Sequence, residues 1–131
     1  MTYRVYLVDD DRFLLDLYSV KFKNAGFDVS TFGSGEDLIA ALKKESTTPP
    51  DAILIDLIMP CIGGFGALDA IRKEGLAQKA KIIILSNQGQ DSDIEKARQY
   101  AADGYIVKAS AIPSEVLAET VRTIEADKGT S

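Results

Sequence analysis

The sequence predicts an α/β fold, a doubly wound five-stranded parallel sheet with helices on both faces. Strand-like and helix-like segments alternate five times along the chain, the pattern of a sheet built by crossover connections. The segments at residues 52–55 and 82–85 are uninterrupted apolar runs, as expected of parallel strands buried on both faces. At 131 residues the chain is expected to form one domain, residues 1–131, with a core large enough to fold alone.

Strand one is expected at Arg4–Val8. The helix after it, residues 12–25, would turn Phe13, Leu14, Leu17, Val20 and Phe22 inward at helical spacing, with Gly26 stopping it. Asp28–Phe32 reads as a short edge-like strand. Ser34-Gly35 opens a second helix with Leu38, Ile39 and Leu42 inward, and residues 46–50 form a loop. Residues 57–64 are too broken by Pro and Gly to be helical and lead into a helix near residues 65–73. Strand four is expected at residues 81–85. Asp91 or Ser92 would cap a helix running to residue 101, and Asp103-Gly104 turns into strand five. The last helix begins at Ser114 with Glu115 and runs to about residue 126, with Val116, Leu117, Val121 and Ile124 inward. Residues 127–131 read as a frayed end.

Composition narrows the function. Hydrophobic residues make up 46% and charged residues 27%, as in ordinary globular proteins. A net charge of −5 and a pI near 4.7 argue against nucleic-acid binding, which needs a basic face. No apolar run approaches the ~20 residues of a spanning helix. The start Met1-Thr2-Tyr3-Arg4 enters a strand directly, so no signal segment is expected. Cys61, the one cysteine, excludes an internal disulfide and suits a reducing cytoplasm. With no histidine, the chain cannot itself carry phosphohistidine.

The informative residues stand where strands end. Asp9-Asp10-Asp11 follows Val5-Tyr6-Leu7-Val8, and Asp56 ends the third run. Ser86 closes the fourth, and Lys108 follows Tyr105-Ile106-Val107. In open α/β sheets the ligand crevice lies at the carboxyl ends of the strands, so these groups are expected to meet there. Carboxylates that close ask for a counter-ion, and a hard dication such as magnesium prefers such oxygen ligands. Asp11 reads more simply as a helix cap.

In order and spacing, the stretches at residues 5–11, 51–64 (with Met59-Pro60), 81–86 and 103–108 resemble the receiver domain of two-component response regulators. The resemblance covers the whole chain and implies the flavodoxin-like strand order 2-1-3-4-5, which right-handed crossovers also favour. It implies that Asp56 accepts a phosphoryl group, with Mg2+ held by Asp10, Asp56 and the Ile58 carbonyl, and by Asp9 largely through water. Lys108 and Ser86 would contact phosphoryl oxygens, and Tyr105 would be the aromatic that turns with Ser86. The implied donor is a histidine kinase or histidine phosphotransfer protein. The output would pass through the face of helix four, strand five and helix five to a downstream protein, from a monomer or a phosphorylation-dependent homodimer. The expected setting is the cytoplasm, with no membrane or nucleic acid bound. Such a chain is a phospho-acceptor rather than an enzyme.

Three departures from the family's pattern stand out. Ala109 follows Lys108 where proline is usual, Asn87 follows Ser86 where a smaller residue is commoner, and Gly63 replaces a frequent Asp. Three other readings compete. A degenerate receiver would serve only as an interaction module. A haloacid-dehalogenase-type phosphatase would use Asp9 and Asp11 but needs a further acid pair after the lysine, where Ala109-Ser110-Ala111 offers none. A flavodoxin-like mononucleotide binder would be repelled by the acidic first loop.

Overall fold

The computed structural model describes residues 3–44, 50–56, 63–76, 80–86, 91–100, 102–107 and 112–130, with the backbone alone at 91–93 and 127–130. Ten elements alternate: β1 (Arg4–Val8), α1 (Arg12–Asn24), β2 (Asp28–Phe32), α2 (Gly35–Leu42), β3 (Ala52–Asp56), α3 (Gly63–Glu74), β4 (Lys81–Ser86), α4 (Asp91–Gln99), β5 (Gly104–Val107) and α5 (Pro113–Thr130). The strands form one sheet in the order β2-β1-β3-β4-β5, every neighbouring pair parallel. The expected topology is therefore observed, with β2 on an edge.

Side-chain alternation divides the core in two. Val5, Leu7, Leu54, Ile83 and Ile106 meet α1 and α5 on one face. Tyr6, Val8, Ile53, Ile55, Ile82 and Ile84 meet α2, α3 and α4 on the other. The three middle strands are buried on both sides, which is why they read as continuous apolar runs.

Helix α1 departs from expectation. Its buried stripe is Leu15, Tyr18, Ser19 and Phe22, whereas Phe13, Leu17 and Val20 face solvent. Both sets recur at helical spacing, and the serine disguised the inward one. The helix ends fix the phase. Asp11 caps the start, accepting hydrogen bonds from the amides of Phe13 (3.0 Å) and Leu14 (3.3 Å). At the other end Phe27 N–H donates to the Phe22 carbonyl and Gly26 N–H to that of Lys23, both at 3.0 Å, while the Phe22 and Phe27 rings meet edge-on at 5.1 Å. This closure needs the left-handed backbone that Gly26 adopts at φ 93°.

Other boundaries move slightly. Helix α3 starts at Gly63, two residues earlier than expected, the chain turning in through that glycine's φ of 67°. Helix α4 begins at Asp91 itself, so Asp91 is its first helical residue rather than a cap. Helix α5 begins at Pro113, whose missing N–H costs nothing at a first helical position, and Glu115 reaches back to accept the Ile112 amide at 3.2 Å. It continues to Thr130, so residues 127–130 are helical rather than frayed. Thr120, unforeseen as a core residue, is fully buried with its hydroxyl donating to the Val116 carbonyl at 2.8 Å. No described helix is long and apolar enough to cross a membrane.

Two outcomes follow. A Cβ added at Gly26 or at Gly33 meets nothing within 4 Å, but only Gly26 has a positive φ. Gly26→Ala should therefore lower stability in urea by about 1 kcal/mol, while Gly33→Ala leaves it level or slightly raised. In addition, the Tyr3 hydroxyl donates to Glu125 on α5 at 2.6 Å, and this bond raises the phenol's pKa above 10.0. The tie is thus present below pH 10 and lost as pH rises through the raised value. In ultraviolet titration the step assigned to Tyr3, identified by its loss in Tyr3→Phe, should move to lower pH in Glu125→Gln.

Candidate functional site

The acids of this chain divide by which end of the sheet they occupy. At the amino end, Asp51 accepts the Arg4 amide and Asp103 the Ile82 amide, each at 2.8 Å. Their own amides return the bond to the carbonyls of Arg4 and Ile82, each at 2.7 Å. They tie incoming strands together, and their role is structural.

At the carboxyl end the acids face one another. Asp9 follows β1 and stays in the ladder, its N–H donating to the Phe32 carbonyl at 3.1 Å. Its carboxylate accepts the Asp11 amide at 2.9 Å, which turns the chain into α1. Asp10 projects from that turn and is exposed, whereas Asp56, the last residue of β3, is only 6% exposed. Carboxylate oxygens of Asp9, Asp10 and Asp56 all lie within 4.8 Å of one another. Asp9 is 3% exposed, so two of the three are largely withdrawn from water. Burial and mutual repulsion both disfavour three negative charges here. An all-oxygen set of this kind could hold a hard divalent cation.

The remaining sequence candidates lie on β4 and β5 or outside the described residues. Ser86 ends β4 beside β3, where Asp56 stands opposite Leu85, and it is 1% exposed. Tyr105 stands opposite Ile84 on β5, and Ser86 opposite Val107. Ser86 and Tyr105 therefore belong to the same side of the sheet as Ile84, the side that packs against α3 and α4. Lys108 is the residue after β5 and Ile58 the second after β3, and both lie outside the described residues. So do Met59, Pro60, Cys61, Asn87 and the Lys108–Ala109 bond. Asp11 is not in the cluster, since its carboxylate caps α1. The Asp9-x-Asp11 pairing that a phosphatase would need is thereby removed. A separate cleft of about 460 Å³ lies between α1, the end of β2 and α2, lined by residues that include Arg12, Asp16, Asp37 and Lys44 and none of the cluster.

The profile of the response regulator receiver domain matches residues 5–122. This chain belongs to that family. The receiver is 32% identical over 108 residues to the regulatory protein VanRc of Enterococcus gallinarum, covering 82% of this chain and 44% of the relative. The chain spans less than half the length of the curated relatives it matches. Among solved structures, the beryllofluoride-activated receiver domain of DrrB from Thermotoga maritima superposes with a TM-score of 0.79 at 26% identity, covering 95% of this chain and 99% of that one. Vibrio cholerae chemotaxis protein CheY4 gives 0.84 at 24% identity, covering 94% and 99%, a likeness of fold.

Sequence reasoning missed the pairing role of Asp51 and Asp103, though each immediately precedes its strand. It also missed a contact between α3 and α4, in which the Phe65 and Tyr100 rings stack at 5.8 Å. Only its separation in sequence, Phe65 to Tyr100, concealed it.

The repulsion within the acid cluster has a direct consequence. Asp10→Asn removes one charge at the exposed member, so in the presence of a chelator it should raise stability by about 1 kcal/mol. Any stability that added magnesium confers should be smaller in the variant than in the unaltered protein. Urea titrations with EDTA and with magnesium check both, and an unchanged midpoint in EDTA would count against repulsion.

Proposed function

We propose that this receiver takes a phosphoryl group on Asp56 from a histidine kinase or histidine phosphotransfer protein, in the presence of magnesium. The observation that carries the reading is the grouping of buried Asp56 with Asp9, Asp10 and Ser86 at the carboxyl ends of neighbouring strands. Family membership supports it.

An Asp56 carboxylate oxygen attacks phosphorus in line with the donor's phosphoimidazole bond. A P–O bond forms, the P–N bond breaks, and its electron pair stays on the imidazole nitrogen. Such transfer needs alignment and charge compensation more than covalent help. Asp10, Asp56 and the Ile58 carbonyl would hold magnesium, with Asp9 contributing largely through water, and the bound ion would supply positive charge to the phosphoryl oxygens. Lys108, placed by the sequence directly after β5, supplies a second, compact positive charge. Ser86 donates its hydroxyl to a phosphoryl oxygen and draws in the segment that follows it. Tyr105, on the same side of the sheet, then turns inward, and the face of α4, β5 and α5 changes.

The phosphoryl group biases this equilibrium because Ser86 and Lys108 contact it in one state better than in the other. The chain acts as a signal carrier in the cytoplasm that catalyses its own acceptance of the donor's phosphoryl group and its slow loss, not as an enzyme with turnover on a separate substrate. It works as a monomer or a phosphorylation-dependent homodimer, and its output is a downstream protein rather than nucleic acid bound by this chain. VanRc is named a regulatory protein, in keeping with this role.

Intact mass after incubation with a small acyl phosphate should rise by one phosphoryl group only when magnesium is present, and peptide mapping should place it on Asp56. Asp56→Asn should abolish the adduct. Lys108→Met should leave the fold intact yet silence amide shifts on the α4–β5–α5 face when the phosphoryl mimic beryllofluoride is added. A phosphopeptide lacking Asp56, or an adduct indifferent to magnesium, defeats the proposal.

A further inference from the structure

Helix α4 is lightly attached. Among its described side chains, Ile94 to Gln99, only Ala97 is buried. Its two flanks differ sharply. Toward α3, the ring of Tyr100, just past the helix end, stacks on Phe65 with planes 24° apart, and Lys96 Nζ sits 4.6 Å from the centre of the Phe65 ring. Arg72 Nε on α3 donates to the Tyr100 carbonyl at 3.0 Å. Toward β5, a pocket of about 170 Å³ is lined by Ile94, Ala97 and Arg98 of α4, by residues 102–104 and by Tyr105. Lys96 and Tyr100 lie one turn apart on one flank, Ile94 and Arg98 one turn apart on the other.

We propose that Phe65, Lys96 and Tyr100 are positioning residues, a clamp that holds α4 against α3 in the resting protein and opposes its movement into the cavity beside Tyr105. The inference rests on Asp56 being the phosphoryl acceptor. The clamp joins the two helices that follow the site: α3 is the next element after Asp56, and α4 the next after Ser86. Drawing Ser86 toward a phosphoryl group pulls on the segment that enters α4. Open space into which the helix can respond lies on the β5 flank. The 170 Å³ there exceeds several waters' share of liquid volume, about 30 Å³ each, and so accepts an inward-turning side chain or a small translation. A contact made only in the resting state taxes the phosphorylated one, and by linkage its loss must tighten binding of anything that favours the phosphorylated state.

The test titrates beryllofluoride, with magnesium, into the full chain. Phe65→Leu removes the stack and the cation–π contact while keeping an apolar side chain. The double variant Lys96→Met with Arg72→Met alters only exposed side chains, and so answers the question if Phe65→Leu does not fold. Each is expected to bind beryllofluoride about three- to tenfold more tightly than the unaltered protein, the span such contacts supply. In the resting variants, the amide resonances of Ile94 and Tyr105 should already lie part-way toward their beryllofluoride-bound positions, a signature that mere loss of packing would not give. Unchanged or weaker affinity in a folded variant, with the unaltered protein binding normally, overturns the clamp and leaves the acceptor reading standing. An unaltered protein that binds no beryllofluoride overturns the acceptor reading and the clamp's role with it.

Discussion

Burial of the sheet on both faces is the constraint from which the rest of this molecule follows. Val5, Leu7, Ile53, Ile55, Ile82 and Ile84 are essentially inaccessible, and a charge among them would be expensive. Polar chemistry can therefore appear only where a strand runs out. Because every strand is parallel, all five run out on the same side. Residues distant in sequence (Asp9 and Asp56) are thus delivered to one cluster without any contact among the loops having to specify it. The acids at the opposite edge illustrate the same rule, since Asp51 and Asp103 are tolerated there by capturing strand amides.

That geometry makes the crevice unstable in a useful way. Three carboxylates within 4.8 Å repel one another, and two of them are buried. The fold holds them there because the backbone is anchored independently: Asp9 through the ladder to Phe32 and the turn into α1, Asp56 through pairing with β4. Positive charge offsets repulsion of this kind, and the three carboxylates are spaced so that they could hold a metal ion. Stability given up at the crevice is recovered in the core, where Phe22, Leu54, Leu68 and Ile71 are fully buried.

Much of this was legible in the sequence. Strand positions, sheet order and the acid grouping follow from apolar runs and the residues that punctuate them, and these are local signals. Legibility failed where two solutions share one pattern. On α1, Phe13-Leu17-Val20 and Leu15-Tyr18-Phe22 are equally helical in spacing, and Ser19 lies on the buried side. The choice is made by Asp11 at one end and by Gly26 with Phe27 at the other, whose capping geometry sets the helix phase. It failed again where a contact links remote positions. Nothing near Phe65 announces Tyr100, and the stack exists because α3 and α4 lie side by side on one face of the sheet.

The polarity of α4 then takes on a physical meaning. A helix that buries only Ala97 among its described side chains gains little from hydrophobic packing, so its position is set by a few specific contacts rather than by the core. Helices α1 and α3, which bury several large side chains each, cannot shift without breaking close packing. Among the described side chains, α4 is thus held less by the core than α1 or α3. It lies on the same side of the sheet as Ser86 and Tyr105, so a displacement of this lightly packed helix would be felt along that side.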